Sequence, residues 1–170
     1  MNIEIAYYKS PVGVLEIRGT GSSISAVLFV NSWKGAKINE DELSFVKPKS
    51  IIVKNCFKQL DEYFKGKRTE FNIHTAQVGT EFQQSVWQEL EKIPYGRTIS
   101  YHELSKRIGN VKAIRAVGTA NGNNSICIIV PCHRVIGSNG SLIGYGGELW
   151  RKKWLLDHEA KYANGVQTLF

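Results

Sequence analysis

The chain has 170 residues, 42% of them hydrophobic and 22% charged, enough to bury a real core in one or two domains. It carries a net charge of +7 and three cysteines, Cys56, Cys127 and Cys132. So sparse and odd a thiol count excludes a disulfide-built scaffold and fits a reducing compartment. No apolar run reaches membrane-spanning length, and MNIEIAYYKSPVG lacks the apolar core and cleavage site of a secretory signal, so a cytoplasmic protein with no membrane partner is expected.

Residues 1–76 read as a mixed α/β unit. VGVLEIRG and SSISAVLFV are two strands joined around Gly19-Thr20-Gly21. Residues 31–50 are polar and lysine-rich and form a loop. Ile52, Cys56, Leu60 and Phe64 then recur at helical spacing, with Gly66 as the stop. TEFNIH, residues 69–74, is expected as a third strand.

Beyond residue 77 the pattern turns helical. Thr80-Glu81-Phe82-Gln83 is a capping box ahead of Phe82, Val86 and Leu90 on one face, and Pro94-Tyr95-Gly96 ends that helix. A second capping box, Ser100 to Glu103, opens a short helix with Leu104 and Ile108 inward and Gly109 at its end. Ala113, Ala116, Val117 and Ala120 mark a third helix whose expected packed face is made of small side chains, with Arg115 pointing away. Two short helices about a glycine turn make a helix-turn-helix pattern. Residues 161–170 read as an irregular tail.

The positive charge is concentrated on this second half. Residues 92–134 hold seven Lys and Arg against one acid, Glu103. Such a block is the footprint of a polyanion binder, and its overlap with the helix-turn-helix favours DNA over a merely solvated face.

IIVPCHRVIG, residues 128–137, carries the chemistry. A β-branched run stops at Pro131 and is followed by Cys132, His133 and Arg134. Thiolate is the reactive form, so a nucleophilic Cys132 needs a base or cation at hand. Alternate residues of an extended segment face opposite ways, so adjacency alone leaves a Cys132–His133 pair undetermined. Cys56 and Cys127 read as small core residues. A metal site is not expected, because His74, His102 and His158 are scattered singly. A cysteine hydrolase stays open in principle, without an identifiable distant His and Asn or Asp.

PCHRVIG followed by GSLIGYGG resembles the active-site segment of the O6-alkylguanine-DNA alkyltransferases, the methylated-DNA–protein-cysteine methyltransferases. The resemblance runs through GTEFQQSVWQELEKIPYGRTISYHELSKRIG, AIRAVGTANGNN and KKWLLDHE, nearly all of residues 79–159. It implies an α+β chain: a small N-terminal α/β, ribonuclease-H-like domain (1–76), then a mostly helical, helix-turn-helix, winged-helix-like domain (77–160).

The resemblance implies a DNA repair protein that moves the alkyl group of O6-alkylguanine, and conceivably O4-alkylthymine, in double-stranded DNA irreversibly onto its own cysteine. It would act once, as a monomer, without cofactor or metal. By the same resemblance Cys132 is the nucleophile, His133 the base acting through a water, and Glu159 its orienter. Asn124 would stabilise the cysteine segment, and Tyr101 would rotate the nucleotide out and protonate the leaving guanine. Arg115 would fill the gap, with Tyr101, Ala113, Gly118, Ala120 and Asn121 as further DNA contacts. Val135, Tyr145 and Gly146 would wall the base pocket, and Arg134 would brace the site.

The sequence departs from the family pattern at Val111 and Ser125, where proline is usual, and at Glu148, where glycine is common. Three rivals remain: a non-catalytic protein that binds alkylated DNA, which would lack the cysteine; a transcription regulator, which would want more base-reading side chains than AIRAVGTANG offers; and the hydrolase.

Overall fold

The computed structural model describes residues 2–163. The chain divides into two compact units, Met1–Val78 and Gly79–Phe170.

The first unit is built on an antiparallel meander, β1 (Ile3–Ser10), β2 (Gly13–Thr20) and β3 (Ser23–Phe29), with β2 in the centre. Leu15 pairs with Tyr8 and Ile17 with Ala6, so their side chains share one face with Gly19. Helix α1 (Ile51–Phe64) covers that face with Val53, Cys56, Leu60, Tyr63 and Phe64, all buried. A Cβ at Gly19 would meet a Val53 methyl at 2.6 Å, so the close approach of helix to sheet requires glycine there. Tyr8 stands edge-on to Phe57 and stacks on Phe64. Burial pushes the Cys56 thiol up to about 12, which makes it an inert core residue.

Two features differ from the sequence reading. β1 is a full strand that the pattern in IEIAYYKS did not disclose, because Ile3 and Ile5 are exposed and blur the alternation. The strand expected over residues 69–74 does not form. A single parallel bridge links Ile24 to Thr75, with Ile24 N donating to His74 O and Ala76 N to Ile24 O.

The second unit begins with α2 (Glu81–Glu91), whose N-terminus carries the reciprocal Thr80–Gln83 capping box. A two-residue parallel pairing of β4 (Ile99–Ser100) with β5 (Val135–Ile136) brings the start of α3 (Tyr101–Ile108) next to the cysteine segment. Ser100 accepts from Glu103 N, but the reciprocal half of that box is replaced by Glu103 pairing with Arg107. Gly109 at φ +92 ends the helix in the left-handed conformation.

Helix α4 (Ile114–Gly122) follows a single 3-10 turn at Val111–Ala113. Its packed face is Val117, Ala120, Asn121 and, just beyond the helix, Asn124, one step round from the face expected. Ala116 is exposed. The repeated small residues hid the phase of the helix, because alanine serves equally at a tight packing contact and at the surface. α5 (Leu149–Ala163) buries Lys152, Leu155, His158 and Glu159. It extends past the expected start of the tail at residue 161, and residues 164–170 of that tail lie outside the described residues. Among the described residues no helix is long and apolar enough to cross a membrane.

Candidate active site

The cysteine sits on a folded-back segment rather than at the end of a strand. Ile129 N donates to Cys127 O at 2.8 Å across Ile128, whose φ is +74, and Cys132 N donates to Val130 O at 2.8 Å across Pro131 at φ −82, ψ 65. These are two three-residue turns, the first of the rare strained hand and the second of the common inverse form. A β-branched side chain in the left-handed region costs on the order of 1–3 kcal/mol and persists only where the surroundings impose it. Asn124 does much of the imposing: Nδ2 donates to Val130 O at 2.8 Å and Ile126 O at 3.3 Å, and Oδ1 accepts from Ile126 N at 3.1 Å.

Cys132, His133 and Arg134 then form one 3-10 turn, all buried. That tight turn resolves the adjacency question by turning each side chain to a different partner. His133 is fully buried, and its Nε2 lies 2.7 Å from Glu159 Oε2. A carboxylate only accepts, so Nε2 carries the proton and Nδ1 is left as a bare acceptor. No side chain or backbone donor among the described residues reaches that buried Nδ1. Burial holds His133 below its ordinary value, against the opposing pull of Glu159.

Arg134 braces the same carboxylate. Its Nε donates to Glu159 Oε1 at 2.8 Å, one terminal nitrogen to Oε2 at 3.1 Å, and the other to Ile93 O at 2.6 Å. Burial alone would push Glu159 up; the hydrogen bonds and charges of His133 and Arg134 overcome it and hold the carboxyl well below the usual range.

Tyr101, the first residue of α3, donates its hydroxyl to Ile143 O at 3.0 Å. Burial, reinforced by Cys132, pushes it up to about 12, so it is a protonated donor at neutral pH. Gly144, at φ +65, makes room for it, because a Cβ there would lie 2.9 Å from the Tyr101 oxygen. A cavity of 580 Å³ opens beside this tyrosine, lined by Ile114, Arg115 and Gly118 of α4 and by Ser138, Ile143 and Gly144 of the loop after β5.

The structure thus brings Tyr101, Asn124, Cys132, His133 and Glu159 together, and places Arg115 and Gly118 on the cavity. Two of the expected DNA contacts are corrected. Ala120 and Asn121 are 2% and 1% exposed, turned inward by the phase of α4, and cannot reach a groove. Asn121 instead donates Nδ2 to Cys132 O at 3.3 Å. Ala113 is half-buried at the start of α4. Val135, Tyr145 and Gly146, expected to wall the pocket, are not among its lining residues; Val135 and Tyr145 are buried, and Gly137, Ser138, Ile143 and Gly144 supply that wall. Glu148, at φ +80, accepts from Trp150 Nε1 at 3.0 Å.

Sequence reasoning missed Lys152. It is fully buried, donating Nζ to Val135 O at 2.5 Å and Ile143 O at 2.7 Å. The signal was present: Lys152, Leu155 and Glu159 fall on one face of α5 at i, i+3 and i+7. Among the described residues no cluster of His, Cys, Asp or Glu has the makings of a metal site.

Residues 81–161 match the family of 6-O-methylguanine DNA methyltransferase DNA-binding domains, and residues 3–77 match the ribonuclease-like domain of the same proteins. The chain belongs to the 6-O-methylguanine DNA methyltransferase family. A methylated-DNA–protein-cysteine methyltransferase of Methanosarcina acetivorans is 46% identical over 154 residues, covering 91% of this chain and 96% of the relative. One from Mycobacterium leprae is 45% identical over 161 residues, covering 95% and 94%. The structure of Mycobacterium tuberculosis OGT in complex with DNA superposes with a TM-score of 0.81 at 41% identity, covering 93% of each chain. Every candidate site residue described above, from Tyr101 to Glu159, lies within the residues that match the DNA-binding domain.

Proposed function

We propose that this protein repairs DNA by taking the alkyl group of O6-alkylguanine onto Cys132, once per molecule and as a monomer. The observation that carries the reading is the buried His133 whose Nε2 is fixed on Glu159 and whose Nδ1 is left as an acceptor, one residue from Cys132 on the same 3-10 turn. His133 Nδ1 takes the thiol proton through a water, and Glu159 stabilises the imidazolium that results. The sulfur attacks the alkyl carbon: an S–C bond forms as the C–O6 bond breaks, and the guanine leaves with the electron pair. Tyr101 gives that anion a proton. The proton gained by His133 and the one lost by Tyr101 balance, so the net charge of the site is unchanged. A thioether has no good leaving group, so the step is not reversed.

The reacting carbon lies on a stacked base, so the nucleotide must be extruded at a cost of a few kcal/mol. Arg115, exposed on α4 at the cavity, is placed to occupy the space left in the stack. Lys106 and Arg107 of α3 and Lys112 of the turn before α4, all exposed, supply phosphate contacts. The test is Cys132→Ala: transfer should vanish while binding to a duplex containing O6-methylguanine persists. Loss of both would contradict these roles.

A further inference from the structure

Two buried acceptors beside Cys132 have no donor among the described residues. One is His133 Nδ1, which the proton relay proposed above uses. The other is Oδ1 of Asn121, a residue only 1% exposed. The neighbour of that amide fixes its orientation. Cys132 O can only accept, so the amide atom 3.3 Å from it is Nδ2, and the oxygen is turned away. A buried carbonyl oxygen without a donor is costly, so a group that enters the site with a donor gains by meeting it.

The position of Asn121 shows which group that is. It follows Gly118 by three residues on α4, so the two are neighbours on the helix surface, one turn apart. Gly118 and Tyr101 line the cavity, and a Cβ on Gly118 would lie 3.9 Å from the Tyr101 ring. Asn121 therefore stands between that part of the cavity wall and the backbone of the nucleophile. A base that Tyr101 protonates while Cys132 attacks its alkyl carbon borders Asn121. Alkylation at O6 leaves N1 of guanine without a hydrogen, so the 2-amino group is the only N–H donor on the base.

We propose that Asn121 is a specificity-determining residue: its Oδ1 accepts a hydrogen bond from the 2-amino group of the extruded O6-alkylguanine, while its Nδ2 holds the carbonyl of Cys132. One amide reads the base and fixes the backbone of the group that attacks it. A base without the 2-amino group leaves Oδ1 buried and unpaired during transfer, and a site built around a hydrogen bond rejects a substrate that cannot make it. This inference rests on Cys132 being the acceptor of the alkyl group.

The test measures single-turnover transfer from duplexes carrying O6-methylguanine or O6-methylhypoxanthine, which differ only in the 2-amino group, to wild type and to Asn121→Leu. Each protein is measured on both bases, so differences in base pairing and general damage to the site cancel between the two ratios. Wild type should prefer the guanine lesion by about thirtyfold, and Asn121→Leu should shrink that preference by about tenfold. A wild type that takes both bases equally fast overturns the proposal. So does a variant that keeps the wild-type preference, since Oδ1 would then be met by water and not by the base. A wild type that takes methyl from neither duplex defeats the reading of Cys132, and this inference with it. Should Asn121→Leu fail to fold, carbon-13 NMR of the Asn121 side-chain carbonyl decides, in Cys132→Ala bound to each duplex in turn. Its resonance should differ between the two complexes; identical resonances overturn the proposal.

Discussion

His133 and Glu159 meet inside the second unit at 2.7 Å, with both side chains fully buried and the carboxylate shared with Arg134. The glutamate therefore does two jobs: it fixes the imidazole tautomer and it neutralises a buried guanidinium. Glu159→Gln removes the charge from both. Alkyl transfer should fall by about 100-fold, the scale of a lost general base. Stability should drop by about 3–5 kcal/mol, because Arg134 is left as a buried charge without its partner. Single-turnover kinetics and urea unfolding measure the two separately. A variant as stable as wild type would mean that Arg134 is not held by Glu159.

The same pair sets the acid limit of the fold. His133 titrates lower in the folded chain than its ordinary 6.5, so below that pH the unfolded chain binds a proton that the folded chain refuses. Glu159 is held below its ordinary 4.5, so its contribution is present above that value and lost as pH falls further. Both effects have the same sign. The melting temperature should decline from about pH 6.5 downward and steepen below 4.5, and His133→Gln should flatten the upper part of that decline. An upper part unchanged in His133→Gln would assign the loss to other groups.

Much of this was legible in the sequence. The capping box at Thr80 and the glycine stop at Gly109 are local signals, and they predicted the right elements; the β-branched run before Cys132 folds into turns instead of a strand. What was not legible depends on tertiary placement. The phase of α4 turned Asn121 inward, since four small residues carry almost no amphipathic signal. Lys152 reads as one of two adjacent surface lysines until α5 is docked. The strand expected at 69–74 did not form, and the one bridge to β3 falls beyond it, at Thr75.

The strained turn before the cysteine gives a stability test. Ile126 and Ile128 are both fully buried, but only Ile128 has a positive φ. Ile126→Ala should cost about 2–5 kcal/mol, as for any buried isoleucine. Ile128→Gly loses more side chain yet relieves backbone strain of about 1–3 kcal/mol, so it should cost no more than Ile126→Ala. Chemical denaturation of the two variants decides; a markedly larger loss for Ile128→Gly would mean that the turn is not strained.

Arg115 separates capture of an extruded base from simple phosphate binding. Arg115→Ala should weaken binding to a lesion-bearing duplex by at least about tenfold, and binding to undamaged duplex much less, since one phosphate contact is only one of several. Equal losses on both duplexes would make Arg115 a phosphate contact alone.

The central claim is that Cys132 itself receives the alkyl group, and the intact mass of the protein tests it most directly. After mixing with excess duplex carrying one O6-methylguanine, each molecule should gain one methyl group and never a second, with the added mass on the peptide containing Cys132. An unchanged mass with tight lesion binding would make the protein a damage sensor, and an unchanged mass with loss of the lesion would make it a hydrolase. Either result would contradict the account.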